Sequence, residues 1–278
     1  MSPVRRPAHP ARAAHPARAA RPSRRPAASS NGARRASAGL SPVDFLSIMP
    51  HPDDAELIAG GLLLTARAEG RSTAAIELTR GEAGTRGTVA ERLRELAAAT
   101  RVLKLAHREV LDLPDGRLTD DSAAVDRVAS LIRAFRPRAI VTTHWQDHHP
   151  DHEACFVICK KAAWRANMGQ FKDGRPRHKI AALLGGMNRM GMAADWVLDV
   201  SPVFAEKMRA VRCFKSQLFQ PGARGRREPL TRLASPDFLA MIEAQHRFYG
   251  QQAGCIFGEP YALEGPVPLL VRRLSGLW

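Results

Sequence analysis

The chain reads as an α/β protein: a Rossmann-like three-layer sandwich around a mostly parallel sheet. Three observations predict it. Short apolar runs alternate with amphipathic helical stretches over residues 44–166. Parallel strands joined by helices take right-handed crossovers, which lay helices on both faces. Two His/Asp clusters, His51-Pro52-Asp53-Asp54 and His149-Pro150-Asp151-His152, each fall where an apolar run hands over to a helix. Open α/β sheets bind their ligands at such strand ends.

The elements follow in order. FLSIM (45–49) is a buried strand feeding the first cluster. Residues 55–69 have helical spacing, and Gly70 suits the residue after a helix. STAAIELT (72–79) is the second strand, and RGEAGTRGT (80–88) is a Gly-rich loop. Residues 89–103 form a helix by propensity and period. REVLDL (108–113) is a short strand, LPDG (113–116) a turn, and 121–135 an amphipathic helix ended before Pro137. RAIVTT (138–143) runs into the second cluster, and 150–166 is helical. Strands at 179–186 and 194–200 and helices at 202–214 and 236–252 complete the reading. A GxGxxG after the first strand is missing, and Gly60-Gly61 lies inside a helix instead, which argues against a dinucleotide site.

Charge divides the 278 residues in two. Residues 1–42 hold nine Arg and no acidic residue, so +9 of the net +15 sits there and +6 on the rest. This Ala/Arg/Pro/Ser segment lacks the apolar core of a secretory signal and is expected to be a disordered tail, with one domain over 43–278. Such a tail is either a dispensable extension or a weak binder of nucleic acid. The second reading predicts salt-sensitive affinity lost on deleting residues 1–42. Four scattered Cys without CxxC spacing exclude a disulfide scaffold and fit a reducing, cytoplasmic setting. No apolar run reaches the roughly 18 residues of a membrane span.

The chemistry lies in the two clusters. Pro suits the first helical position, placing each His near the N-cap and the acids in the first turn. A catalytic zinc takes three protein ligands and keeps one position open. His51, Asp54 and His152 supply two imidazoles and a carboxylate, provided the fold brings together strands 101 residues apart. Asp53 is placed to accept a proton from an activated water, and His149, one turn before His152, to stabilise an oxyanion or protonate a leaving amine. Either cluster alone is also ordinary capping chemistry. Asp151 either orients a neighbouring His or stabilises its helix start, and His144, Asp147 and His148 are either partners of the ligands or polar loop residues. Cys155 and Cys159 are expected in the core. Trp145 and Trp164 either line a sugar site or pack between helix and sheet.

With Pro50-His51-Pro52-Asp53-Asp54 and His149-Pro150-Asp151-His152, the chain resembles the LmbE-like/PIG-L zinc-dependent N-deacetylases of N-acetylglucosaminyl compounds. LTRGEAGTRGT (78–88), the helix with Arg92 and Glu95, LPDGRL (113–118), DVSPVFAEKMRAVRCFKSQ (199–217) and RFYGQQAGCIFGEPY (247–261) are most similar to the bacillithiol-biosynthesis deacetylases. The likeness spans roughly residues 44–270. It implies an LmbE-like fold with Zn2+, or another divalent metal, on His51, Asp54 and His152. It also implies Asp53 as general base and His149 at the oxyanion and leaving group. Arg92 would contact an anionic substrate, its alternative being a solvated helix face. Lys179 stands where some relatives place a basic contact, although an Arg is expected there. Glu82 and Arg86 are either rim contacts or ordinary loop polarity. The implied reaction is hydrolysis of the acetamide of N-acetylglucosaminyl malate, or of another N-acetyl sugar or glycan precursor, by a homo-oligomer. A rival reading is a binding module whose metal is only structural.

Overall fold

The computed structural model describes residues 40–220 and 231–264. All fall in one of the two compact units into which the chain divides, Gly39–Trp278. The expected disordered tail lies outside the described residues except for 40–42. No helix among the described residues is long and apolar enough to cross a membrane.

The first half alternates as expected: β1 Phe45–Met49, α1 Asp54–Ala68, β2 Thr73–Glu77, α2 Val89–Leu103, β3 His107–Val110, α3 Ser122–Phe135, β4 Ala139–Thr143 and α4 Pro150–Asn167. Then come β5 Ala182–Gly186, β6 Trp196–Asp199, α5 Phe204–Val211, α6 Phe238–Ala253 and β7 Gly258–Leu263. The sheet order is β3-β2-β1-β4-β5-β7-β6, with β7 antiparallel to both its neighbours. The strand order reverses between β1 and β4, which pair in parallel with Phe45 opposite Ala139. That junction is the switch point where such sheets open a crevice beyond the strand ends, and both clusters follow these two strands.

Helices α3 and α4 bury Val128, Ile132, Phe156 and Cys159 against one face of the sheet. Helix α1 buries Ile58, Leu62 and Leu63 against Met49, Val141 and Tyr261 on the other. Cys155 and Cys159 are fully buried, as expected. Strand β7 has no counterpart in the sequence reading. Pro260 sits inside it opposite Val197, and its buried run GEPYAL lacks the alternation that marks a half-buried strand.

Gly61 has a packing reason. A Cβ there would lie 2.5 Å from Val200 Cγ1 and 2.7 Å from Glu259 Oε2. The Glu259 carboxylate instead accepts the backbone N–H groups of Gly61 (2.9 Å) and Leu62 (2.7 Å). Lys207 Nζ donates to Leu57 O (2.9 Å), four residues before Gly61. A buried ion pair is thus built into the flank of α1.

Helix α2 starts on a reciprocal cap. Thr88 Oγ1 accepts from Glu91 N (3.2 Å), and Glu91 Oε2 accepts from Thr88 N (2.8 Å). Thr88→Ala is expected to cost about 1 kcal/mol, read as a lower urea midpoint with unchanged slope. An unchanged midpoint would show that the cap adds nothing.

Candidate active site

The site is assembled at the carboxyl ends of β1 and β4. After β1 the chain turns through Pro52 and Asp53, and Asp54 N donates to His51 O (3.3 Å). Asp53, not His51, is the N-cap of α1, with a left-handed backbone at φ 108°. That corrects the expectation for the first cluster by two residues. In the second, His149 is the N-cap of α4 and Pro150 follows it. The turn folds His51 onto Asp54: His51 Nδ1 lies 3.1 Å from Asp54 Oδ2. His152, from the neighbouring strand's helix, brings Nε2 to 3.4 Å from the same oxygen.

One ligand atom from each of His51, Asp54 and His152 lies within 4.8 Å of the others. Ligands at about 2.0–2.2 Å from a tetrahedral zinc stand roughly 3.3–3.5 Å apart, close to the spacing here. Each imidazole is also held from behind. His152 Nδ1 pairs with Asp147 Oδ2 (3.0 Å), and His51 Nε2 with Asp151 Oδ2 and Asp115 Oδ1 (3.1 Å each). Carboxylates on the remote nitrogens fix ring orientation and raise ligand basicity. Burial opposes charge on both rings, yet Asp115, Asp151 and Asp54 push His51 up to about 12, and Asp54 and Asp147 push His152 up to about 10. Asp54 is held well below the carboxylate range, burial notwithstanding, by His152 and His51. So much negative charge around two imidazoles suits a cation. A second group, His51, His149 and Asp151, shares His51, but the Asp151 oxygens already accept Gly116 N (2.7 Å) and Leu118 N (3.2 Å).

Asp53 is 6% exposed and makes no capping hydrogen bond of its own. Burial pushes its carboxyl up to about 7, against the pull of Arg92 and with the added repulsion of Asp54. His149 Nδ1 accepts from Asp151 N (3.2 Å), so the neutral ring carries its proton on Nε2. Burial, then His51 and His152, hold His149 below its ordinary value and keep it neutral. Asp53, His149 and the three clustered residues line one cavity of about 420 Å³.

The expected substrate contacts fare differently. Arg92 lines the cavity but is 5% exposed, and its Nη groups are spent on Pro52 O (2.6 Å), Gly81 O (3.2 Å) and Asp53 Oδ2 (3.2 Å). What it grips is Asp53. Gly81 is required beside it, with φ +69° and an imagined Cβ only 2.0 Å from an Arg92 Nη. Of the two readings of Glu82, rim contact or loop polarity, its hydrogen bonds fit the second: its oxygens accept Asp115 N (3.0 Å) and Arg80 N (3.2 Å). The same holds for Arg86, its Nε donating to Ser216 O (3.1 Å); neither residue lines the cavity. Lys179 sits before β5, at the opposite edge of the sheet, in a separate groove of about 970 Å³ with Trp164. Seven residues of extended chain, roughly 23 Å, separate it from the carboxyl end of β5. Trp164 is 74% exposed, so it neither packs in the core nor meets the site.

The sequence reading missed one clustered carboxylate and one whole wall. Asp115 belongs to the LPDG turn, and its one signal was an acid beyond the carboxyl end of a parallel strand. The wall comes from residues distant in sequence: Asn188, Gln217, Arg232, Phe238, Met241 and Gln245.

Residues 46–163 match the family model for PIG-L, GlcNAc-PI de-N-acetylase. A Bacillus subtilis protein named "Probable N-acetyl-alpha-D-glucosaminyl L-malate deacetylase 2" is 31% identical over 186 residues, covering 62% of this chain and 82% of the relative. This chain belongs to the PIG-L family. Another family relative, the diacetylchitobiose deacetylase of Thermococcus kodakarensis, is 27% identical over 212 residues, covering 65% of this chain and 77% of the relative. Among solved structures, the conserved protein TT1542 of Thermus thermophilus aligns at a TM-score of 0.73 and 31% identity, covering 84% of this chain and 99% of that one. As a PIG-L member the chain belongs to a family of deacetylases with an α/β fold.

Proposed function

We propose that the protein is a metal-dependent N-deacetylase of an N-acetylglucosaminyl conjugate, with N-acetylglucosaminyl malate as substrate and Zn2+ as the metal. The observation that carries this is the convergence of His51, Asp54 and His152 on one point, with Asp53 and His149 on the same cavity. The Bacillus subtilis relative's name supports the malate conjugate.

A divalent cation held by His51, Asp54 and His152 would supply Lewis acidity, polarising an amide carbonyl and acidifying a water molecule. Asp53 takes one proton from the water as its oxygen bonds to the acetyl carbon. Arg92 and the left-handed turn fix that carboxylate, and a backbone held at φ 108° costs about 1–3 kcal/mol that the surrounding contacts offset. His149 donates from Nε2 to the carbonyl oxygen as it gains charge. The nitrogen takes the proton from Asp53 as the C–N bond breaks, the water's second proton passes from the new carboxyl to the amine, and acetate and the ammonium form of the sugar leave. Asp147, Asp151 and Asp115 keep both imidazoles oriented throughout.

The test is acetate release by zinc-loaded protein from N-acetylglucosaminyl malate, diacetylchitobiose and N-acetylglucosamine. Preference for the malate conjugate is expected. Preference for diacetylchitobiose would keep the deacetylase and move its substrate to the other named relative's; no release from any would overturn the reading. Chelation is expected to abolish release while far-UV circular dichroism is retained. Unfolding on chelation would instead assign the metal a structural role.

A further inference from the structure

We infer that Arg232 is the specificity-determining cation of the cavity and binds a carboxylate on the aglycone of the sugar. The inference rests on the deacetylase reading and adds a residue to it. An anionic substrate needs a cation on the cavity that is not already committed to the protein. Arg92 is buried, with its Nη groups on Asp53, Pro52 and Gly81 and its Nε buried without a partner, so none of its donors is presented to the cavity. Arg86 turns to Ser216 O, and Lys179 lies at the opposite edge of the sheet. His149 has its Nδ1 taken up by Asp151 N (3.2 Å) and its ring packed against His51 and His152 at the catalytic cluster. His148 also reaches the cavity, but its Nδ1 is paired with Asp147 (2.9 Å). Among the described residues, Arg232 is the remaining Lys or Arg on this cavity.

Arg232 is exposed to solvent, on a segment whose backbone is fixed by a turn. Residues 231–235 precede α6 in a short turn, with Ala234 N donating to Thr231 O (3.1 Å) and Ser235 N to Arg232 O (3.2 Å). Among the described residues, the Arg232 guanidinium makes one long hydrogen bond, Nη2 to Asn188 O (3.3 Å), which leaves most of its five donors for a ligand. Asn188 lines the same cavity, and its Oδ1 is buried without a hydrogen-bond partner. A buried orphan acceptor costs stability unless something donates to it, and because this oxygen has no accessible surface a sugar hydroxyl meets it only when the Asn188 side chain turns toward the cavity. The strap carrying Asn188 is pinned to α6 by Gln245 Nε2 on Met187 O (3.0 Å) and by the Tyr249 hydroxyl on Arg189 O (3.2 Å) and Met192 O (2.9 Å). Arg232 lines the same cavity as the catalytic cluster, and its guanidinium offers a fork of donors for a carboxylate. A planar guanidinium matches a carboxylate in two parallel hydrogen bonds, which an ammonium cannot do.

The experiment compares wild type, Arg232→Gln and Arg232→Lys on N-acetylglucosaminyl malate and on the uncharged methyl glycoside of N-acetylglucosamine. For Arg232→Gln, the ratio of kcat/KM for the charged over the uncharged substrate is expected to fall about tenfold. The change should come from KM for the malate conjugate, with kcat within about twofold. Arg232→Lys should recover part of the ratio. A ratio unchanged by Arg232→Gln, or a loss confined to kcat, would overturn the inference. If wild type releases acetate from neither substrate, the deacetylase reading fails by itself. Calorimetric binding of the malate conjugate then decides the role of Arg232: tenfold weaker binding to Arg232→Gln upholds it, and equal binding overturns it.

Discussion

Asp53→Asn is expected to lower kcat for acetate release by about 100- to 10,000-fold, the usual contribution of a positioned general base. Asparagine removes the proton acceptor and little else. It is nearly isosteric and is enriched among residues with positive φ, so the φ 108° turn survives. The variant should fold, and metal analysis should still find one ion per chain, because the clustered donors are His51, Asp54 and His152. Its amide can still accept from Arg92, so the guanidinium keeps a partner. Acetate release at the wild-type rate with metal bound would remove Asp53 from the chemistry. A lost rate accompanied by lost metal would instead make it part of the metal site.

Lys207→Met is expected to be the most destabilising single change, costing about 3–5 kcal/mol, a fall in Tm of roughly 10 °C for a domain of this size. Lys207 and Glu259 are fully buried, and each is fully subscribed. The ammonium donates to Leu57 O (2.9 Å), His246 Nε2 (2.8 Å) and Glu259 Oε2 (2.6 Å). The carboxylate accepts from Gly61 N, Leu62 N, Lys207 and the Tyr261 hydroxyl. Methionine keeps the volume but leaves an uncompensated buried carboxylate. The pH dependence separates this cause from simple misfit. In the wild type Glu259 is held down at about 2, burial notwithstanding, by Lys207 and His246. Its contribution is therefore complete above its ordinary value of 4.5 and is lost as pH falls toward 2. In Lys207→Met burial acts without the cation and raises the carboxyl. The folded state then binds a proton before the unfolded one does, and the deficit should shrink as pH falls toward 4.5. Adding Glu259→Gln should recover stability. A deficit indifferent to pH and to Glu259→Gln would assign the loss to packing alone.

The parts of the fold legible in sequence were those written locally. FLSIM and 89–103 coincide with β1 and α2 because each carries its own period and boundaries. Strand β7 was not legible, since its place beside β5 and β6 is set by contacts some 60 to 80 residues away and its Pro260 reads as a strand breaker. The same division runs through the site. His51, Asp53, Asp54, His149 and His152 were legible because two short segments present them, and strand order then brings those segments together. Asp115 and Arg232 reach the cavity from turns that carry no chemical motif of their own. Lys179 illustrates a different failure. Its place before a parallel strand assigns it to the end of the sheet away from the clusters, a polarity that a likeness in residue type does not carry. Arg92 shows why residue type does not fix a role: the cation expected to meet a substrate was already claimed by the base beside it.

The cavity joins two walls of different provenance along the chain. All five residues of the candidate chemistry lie within the stretch matched by the family model, whereas Asn188, Gln217, Arg232, Phe238 and Gln245 lie beyond it. The far wall is tied by Gln245 and Tyr249 to the 187–192 strap and by Arg232 to Asn188, and α6 is anchored through Phe238 and Ile242 in the core and through His246 on Lys207. Exchanging Asn188 and Arg232 alone for those of a relative with another aglycone would alter this wall while keeping Phe238 and Ile242 in the core and His246 on Lys207.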